Sequence, residues 1–205
     1  MKIAIVKYNA GNIFSVENAL KRLGVNPILT DDVEELASAD KVLFPGQGKA
    51  SVTMSYLRAH RLDEVLVHLT QPVLGICIGQ QLMCRHSAEG EVDCLGIFPI
   101  DVERFLPENK EDKVPAMGWN QLNIVSDNPL LKGLSEQSYA YFVHSYYVPT
   151  CKWTTAEAYH ILPFSACLCK DNFYATQFHP EKSGKTGITL MEPVRNTKKS
   201  ISILS

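Results

Sequence analysis

The segment Leu74-Gly75-Ile76-Cys77-Ile78-Gly79-Gln80-Gln81 decides how the rest of the chain is read. Residues 72–76 (PVLGI) are apolar throughout, as a strand covered on both faces must be. They run into G-x-C-x-G and then into a helix expected over residues 80–86. A strand that turns sharply into a helix, with a reactive side chain at the turn, is a nucleophile elbow, here with Cys where hydrolases more often carry Ser. Gly75 and Gly79 suit such a turn, because the backbones come too close for a Cβ on either side. The helix N-terminus behind Cys77 favours the thiolate. Alone, the motif fits a buried cysteine at a strand end as well as it fits catalysis.

Toward the N-terminus, short apolar runs alternate with amphipathic stretches. Strands are expected at 2–6 (KIAIV), 25–29 and 41–44 (KVLF). A helix over 14–23 puts Val16, Ala19, Leu20 and Leu23 on one face and stops at Gly24. A short acidic helix occupies 31–39, and a helical region leads to residue 69. This β-α-β-α order implies a parallel sheet covered by helices on both faces. From residue 95 onward the pattern shifts to short strands with Pro and Asn turns, at 96–105, 121–125, 139–143, 156–159, 165–168 and 174–178. These read as antiparallel additions to the same sheet. The expected fold is a single, flavodoxin-like α/β domain with a central mixed, mostly parallel sheet flanked by helices.

Composition narrows the class. The chain has 205 residues, 45 % of them hydrophobic, which is enough for one real core. Its net charge of −2 argues against nucleic acid or an anionic membrane as an obligatory partner. No stretch approaches the roughly 18 apolar residues of a membrane span, and the apolar run at the N-terminus is too short for a secretion signal. Cys77, Cys84, Cys94, Cys151, Cys167 and Cys169 form neither a C-x-x-C pair nor a zinc-ligand cluster. The expectation is a soluble cytoplasmic protein with reduced thiols, no metal and no cofactor.

Two further segments complete a possible site. In Phe178-His179-Pro180-Glu181, a strand continued through the motif would put His179 and Glu181 on one face, at i and i+2. A carboxylate there fixes the imidazole tautomer and leaves the other nitrogen free to take the thiol proton. Pro45-Gly46-Gln47-Gly48 follows the third strand. Its N–H groups, with that of Ile78, could face a developing oxyanion. Nucleophile, base and orienter then come from Cys77, His179 and Glu181, and the oxyanion hole from Gln47 and Ile78.

G-I-C-I-G-Q-Q, F-H-P-E-K-S and P-G-Q-G, in a single chain, resemble the class I (triad) glutamine amidotransferases. Y-N-A-G-N-I-F-S-V near the start, P-A-M-G-W-N at 115–120 and Y-F-V-H-S-Y at 141–146 are similar to the glutaminase subunits of imidazole glycerol phosphate synthase. The resemblance spans residues 1 to about 184, taken as the amidotransferase domain, with 185–205 as an atypical tail. It implies a γ-glutamyl thioester on Cys77, proton transfer by His179 and orientation of His179 by Glu181. It also implies that Gly48, Gln81, Glu89, Ser145 and Tyr146 hold glutamine. The ammonia would pass to a (β/α)₈-barrel cyclase subunit, bound as a heterodimer near Asn12, Trp119, Asn120, Tyr141 and Lys182. That subunit would make imidazole glycerol phosphate and aminoimidazole carboxamide ribotide for histidine synthesis. From pattern alone, Trp119 and Tyr141 read as core aromatics.

The chain departs from the family pattern at Gln47 (usually Val), at Gln80 (usually apolar) and at Ala116 (usually His). In the tail, Pro193 is expected to break a helix. Three other readings compete: the glutaminase of another class I synthase, such as one feeding pyridoxal phosphate or anthranilate formation; a catalytically silent relative; and a stand-alone cysteine hydrolase. The G-W-N and F-V-H-S-Y segments weigh against the first, and the intact Cys-His-Glu set against the second. The third predicts activity with no partner and no preference for glutamine.

Overall fold

The computed structural model describes residues 1–8, 13–135 and 137–196. In chain order its elements are β1 (Ile3–Val6), α1 (Ile13–Arg22), β2 (Ile28–Thr30), α2 (Val33–Ala37), β3 (Lys41–Gly46), α3 (Ala50–Ala59) and α4 (Leu62–Val67). Then come β4 (Val73–Cys77), α5 (Ile78–Leu82), β5 (Cys84–Ser87), β6 (Val92–Asp93), β7 (Phe98–Arg104), β8 (Ala116–Gln121) and β9 (Asn123–Ile124). The chain continues through β10 (Tyr139–His144), β11 (Tyr146–Tyr147), β12 (Thr154–His160), β13 (Leu162–Lys170), β14 (Phe173–Thr176) and α6 (Gly184–Arg195).

The main sheet runs β2-β1-β3-β4-β14-β13-β12-β9. Its first five strands are parallel, and β13, β12 and β9 extend it antiparallel. Every residue of β1, β4 and β14 is buried, which explains their unbroken apolar character. One face packs on α1, the β8–β10 ladder and α6, with Val16, Leu20, Phe142 and Leu190 in that cluster. The other face packs on α2 through α5 and a second sheet, β11-β7-β5-β6, with Leu36, Met54, Leu66 and Phe98. β1, β3, β4 and β14 all finish at one edge of the sheet, where α/β proteins place their sites.

Several expectations need correction. The second half is not wholly an extension of the main sheet, because β8–β10 and β11-β7-β5-β6 are separate ladders. The expected helix over 80–86 is five residues long, and Cys84 turns away to pair β5 with β7. The strand expected at 25–29 is Ile28–Thr30, and that at 121–125 shrinks to Asn123–Ile124. Residue 193 does not stop the last helix. Pro193 falls in its final turn, so the lost N–H removes one bond, and Lys41 Nζ donates to the carbonyls of Pro193 (2.6 Å), Val194 (3.1 Å) and Asn196 (2.8 Å).

Helix α6 also braces the segment that carries His179. A Cβ on Gly187 would overlap the carbonyl oxygen of Pro180, so only glycine lets the helix lie this close. Gly187 N–H donates to Ser183 O at 3.2 Å.

Candidate active site

Cys77 ends β4 with φ 56° and ψ −107°, a backbone conformation that L-residues rarely adopt. The turn is as tight as the glycine pattern implies, since a Cβ on Gly79 would overlap Phe44 O on the neighbouring strand. α5 has only five residues, so its N-terminus adds little field at Cys77, whose sulfur is hydrogen-bonded to His179.

His179 is fully buried, and its Nδ1 lies 2.8 Å from Glu181 Oε1, with both side chains at 0–1 % exposure. The i, i+2 pairing holds, but not as an extended strand. β14 ends at Thr176, and Pro180–Lys182 forms a single 3₁₀ turn that swings the carboxylate under the ring. Burial pushes the imidazole toward neutrality. Hydrogen bonds to Cys77 and Glu181, with the negative charge on both, outweigh burial and raise His179 to about 10. The sulfur on one side and the carboxylate on the other thus hold the ring in its charged form.

Cys77 and His179 open into a cavity of about 300 Å³, at the small end of ligand pockets (roughly 300–1,000 Å³). Gln47, Gly48, Ile78, Gln81, Glu89, Ser145 and Tyr146 line it too, so the structure gathers every residue expected to touch substrate. Glu89 Oε2 accepts from Ala50 N–H at 2.9 Å, tying its loop to the start of α3. Gln81 Nε2 donates to Tyr146 O (2.9 Å) and to Gln177 Oε1 (3.0 Å).

The Pro45–Gly48 turn is held at one end and loose at the other. Tyr8 Oη donates to Pro45 O at 2.5 Å, and a Cβ on Gly46 would overlap that hydroxyl. Gly46 also pairs with Cys77 in the sheet. Gly48, at φ 146°, has nothing closer than 3.9 Å to an added Cβ. Burial, then the charge of Cys77, pushes the Tyr8 phenol far up, so it stays a donor.

The docking residues expected from the resemblance are partly gathered. Trp119 is 58 % exposed, which corrects its reading as a core aromatic. Its chemistry suggests the core, but among the described residues β8 forms a two-stranded ladder with β10, and Trp119 stands on the uncovered face of it. Tyr141 is half-buried with its ring edge-on to Trp119 at 6.1 Å, and Lys182 is exposed nearby in sequence to the triad turn. Asn120 Nδ2 instead donates to Tyr159 O at 2.7 Å. Asn12 lies outside the described residues. Tyr141 is bonded to the triad turn from both backbone groups: His179 N–H donates to Tyr141 O at 3.0 Å, and Tyr141 N–H donates to Ser183 Oγ at 3.0 Å.

Sequence reasoning missed Gln177 and His144. Gln177 is fully buried with Nε2 3.8 Å from Cys77 Sγ. His144 lines the cavity, and its Nδ1–H donates to Tyr146 O at 2.8 Å. Gln177 gave no usable signal, since a lone Gln in a strand reads as an ordinary polar residue, and His144 lies inside the Y-F-V-H-S-Y segment, from which only Ser145 and Tyr146 were singled out as site residues.

The sequence of residues 5–193 matches the model of the family described as glutamine amidotransferase class-I. The chain belongs to the class I glutamine amidotransferases. It is 63 % identical over 187 residues to the imidazole glycerol phosphate synthase subunit HisH of Bacteroides thetaiotaomicron, covering 91 % of this chain and 95 % of that one. The HisH subunit of Idiomarina loihiensis is 42 % identical over 192 residues, covering 94 % and 96 %. Within the amidotransferases the chain therefore sits with the HisH glutaminases of histidine biosynthesis. The fold is shared more widely. A solved glutamine amidotransferase superposes with a TM-score of 0.72 at 16 % identity, covering 94 % of this chain and 99 % of that one. PurLQS from Thermotoga maritima gives 0.70 at 13 %, covering 95 % and 97 %. Among the described residues no helix is long and apolar enough to cross a membrane.

Proposed function

We propose that this amidotransferase hydrolyses glutamine with Cys77, His179 and Glu181, and delivers the ammonia to a (β/α)₈-barrel cyclase subunit in the cytoplasm. The observation that carries the reading is the buried Glu181–His179 pair beside Cys77, at one wall of an amino-acid-sized cavity. The Cys77 thiolate attacks the side-chain amide carbon, and the N–H groups of Ile78 and Gln47 receive the oxyanion. Collapse of the adduct breaks the C–N bond, His179 gives its proton to the leaving nitrogen, and ammonia departs from a γ-glutamyl thioester. His179 then takes a proton from water, whose oxygen attacks the thioester and releases glutamate and the thiolate. Gly48, Gln81, Glu89, Ser145 and Tyr146 hold glutamine.

The cyclase docks on the face of Trp119, Tyr141 and Lys182. The backbone of Tyr141 is bonded to the His179 turn, so pressure on that face reaches the base directly. A second control is the Gln47 peptide. If its N–H points away from the oxyanion, one donor is missing, which costs roughly 3–4 kcal/mol of transition-state stabilisation and several hundred-fold in rate. That N–H lies in the peptide between Gly46 and Gln47, and a glycine on its N-terminal side tolerates the change of ψ while Tyr8 holds the preceding Pro45 carbonyl.

The test is glutamate release by the isolated chain, by the chain with a cyclase, and by the complex loaded with cyclase ligand. Activity should rise at each stage, vanish in Cys77→Ala and persist in Cys84→Ala and Cys167→Ala. Full activity in the isolated chain would remove the partner control, and activity in Cys77→Ala would remove the triad assignment.

A further inference from the structure

The amide of Gln177 has only one orientation that its neighbours allow. A main-chain carbonyl can only accept, so the Gln81 atom 2.9 Å from Tyr146 O is the NH₂ group. Its second N–H goes to Gln177 at 3.0 Å, which makes the Gln177 atom there the carbonyl oxygen. The Gln177 NH₂ is thereby turned the other way, and Nε2 lies 3.8 Å from Cys77 Sγ. At 0 % exposure no solvent competes for this amide. Polarity thus passes from the backbone of Tyr146 through two glutamines to the sulfur.

We propose that Gln177 is a fourth residue of the reaction centre, whose side-chain N–H holds the Cys77 sulfur as a thiolate in an orientation imposed by Gln81 and Tyr146. This rests on Cys77 being the nucleophile. An N–H donor stabilises the anionic sulfur more than the thiol. The backbone fixes where the donor stands, because Gln177 N–H donates to Ala166 O at 2.9 Å, two residues before His179. One strand end therefore supplies both the base and the second donor. Both N–H groups of Gln81 are committed, which leaves its carbonyl oxygen to receive a donor from bound substrate. Substrate and sulfur then share one hydrogen-bond chain.

The other ionisable groups around the sulfur are His179 with Glu181 behind it, the Tyr8 phenol, and Glu89 and His144 across the cavity. All of them stay in place when Gln177 alone is changed. The experiment is the rate of Cys77 alkylation by iodoacetamide against pH in the full chain, with the labelled residue located by mass spectrometry. The variants are Gln177→Met, of similar length but without a donor, Gln177→Glu, and Gln81→Met, which leaves Gln177 free to flip. The expected result is an upward move of the alkylation midpoint by about one pH unit in Gln177→Met, more in Gln177→Glu and less in Gln81→Met. The plateau rate at high pH should be preserved. In the glutaminase assay kcat should fall about tenfold in Gln177→Met while KM changes little, since Gln177 does not line the cavity. Unmoved midpoints in folded Gln177 variants would overturn the proposal even if kcat falls, and so would an unmoved midpoint in Gln81→Met should the Gln177 variants not fold. Wild-type labelling that avoids Cys77 would instead overturn the nucleophile assignment itself.

Discussion

Replacing His144 with Phe should remove part of the protein's acid sensitivity. Nδ1–H of His144 donates to Tyr146 O, so the neutral ring carries its proton there and Nε2 bears a lone pair. Nε2 is buried and has no hydrogen-bond partner, and the ring lies 5.0–5.7 Å from the rings of Phe105, Phe142 and Phe164. Protonation would place an unsolvated N–H⁺ among aromatic rings. Burial therefore lowers His144 from 6.5 to about 4, the Tyr146 carbonyl opposes this weakly, and the charges of His160 and His179 add to it. Because the folded value lies below the unfolded one, the unfolded chain binds the extra proton between the two. Stability is lost as pH falls from about 6.5 to about 4, with no further loss from this group below that. A displacement of about 2.5 units corresponds to about 3 kcal/mol. His144→Phe keeps an aromatic ring in the box and removes one of the two donors to Tyr146 O, with Gln81 Nε2 remaining, a pH-independent cost of about 0.5–1.5 kcal/mol. Urea unfolding of both proteins at pH 7, 5.5 and 4 separates these effects. The wild type should lose about 3 kcal/mol more than the variant across the range, since carboxylates titrate alike in both. Parallel losses would show that His144 is not held neutral.

Glu181→Gln should fold normally and lose kcat by a factor on the order of 10² to 10⁴, because an amide N–H aimed at Nδ1 selects the wrong tautomer; unchanged kcat would reduce Glu181 to a spectator. Gly187→Ala should push α6 off Pro180, lowering stability by about 1–3 kcal/mol and reducing glutaminase activity together, as read from thermal melts and steady-state kinetics. If both readouts match wild type, the helix does not brace the turn. Lys41→Met strips three carbonyls of their donor and should speed amide hydrogen exchange in α6 without changing kcat; equal exchange in the two proteins would dismiss Lys41 as its cap.

The parallel half was legible because β3 and β4 are buried on both faces and must be apolar without interruption. The triad was legible because its residue types and turn glycines are demanded by chemistry at short range. What stayed hidden depends on distant pairing. β8 reads as a turn-like A-M-G-W-N-Q because only alternate residues face the core, and its partner β10 lies about twenty residues away. Leu82, Met83 and Cys84 are all buried, which a single helix face does not explain and a helix-to-strand change does. Trp119 deceived because hydrophobic chemistry does not reveal which side of a ladder is covered. Gln177 could not be found from its neighbours in sequence, since its role exists only once Gln81, Tyr146 and Cys77 meet.

The dihedrals of Cys77 set the demands of fold and chemistry against each other at a single residue. A side chain at φ 56° and ψ −107° costs on the order of 1–3 kcal/mol, and glycine would relax it. Selection for thermal resistance alone would therefore tend to replace the nucleophile with glycine, giving a sturdier protein with no chemistry. A library screened only for stability will enrich inactive variants at this position, and any consensus drawn from it will need an activity filter before residue 77 is trusted.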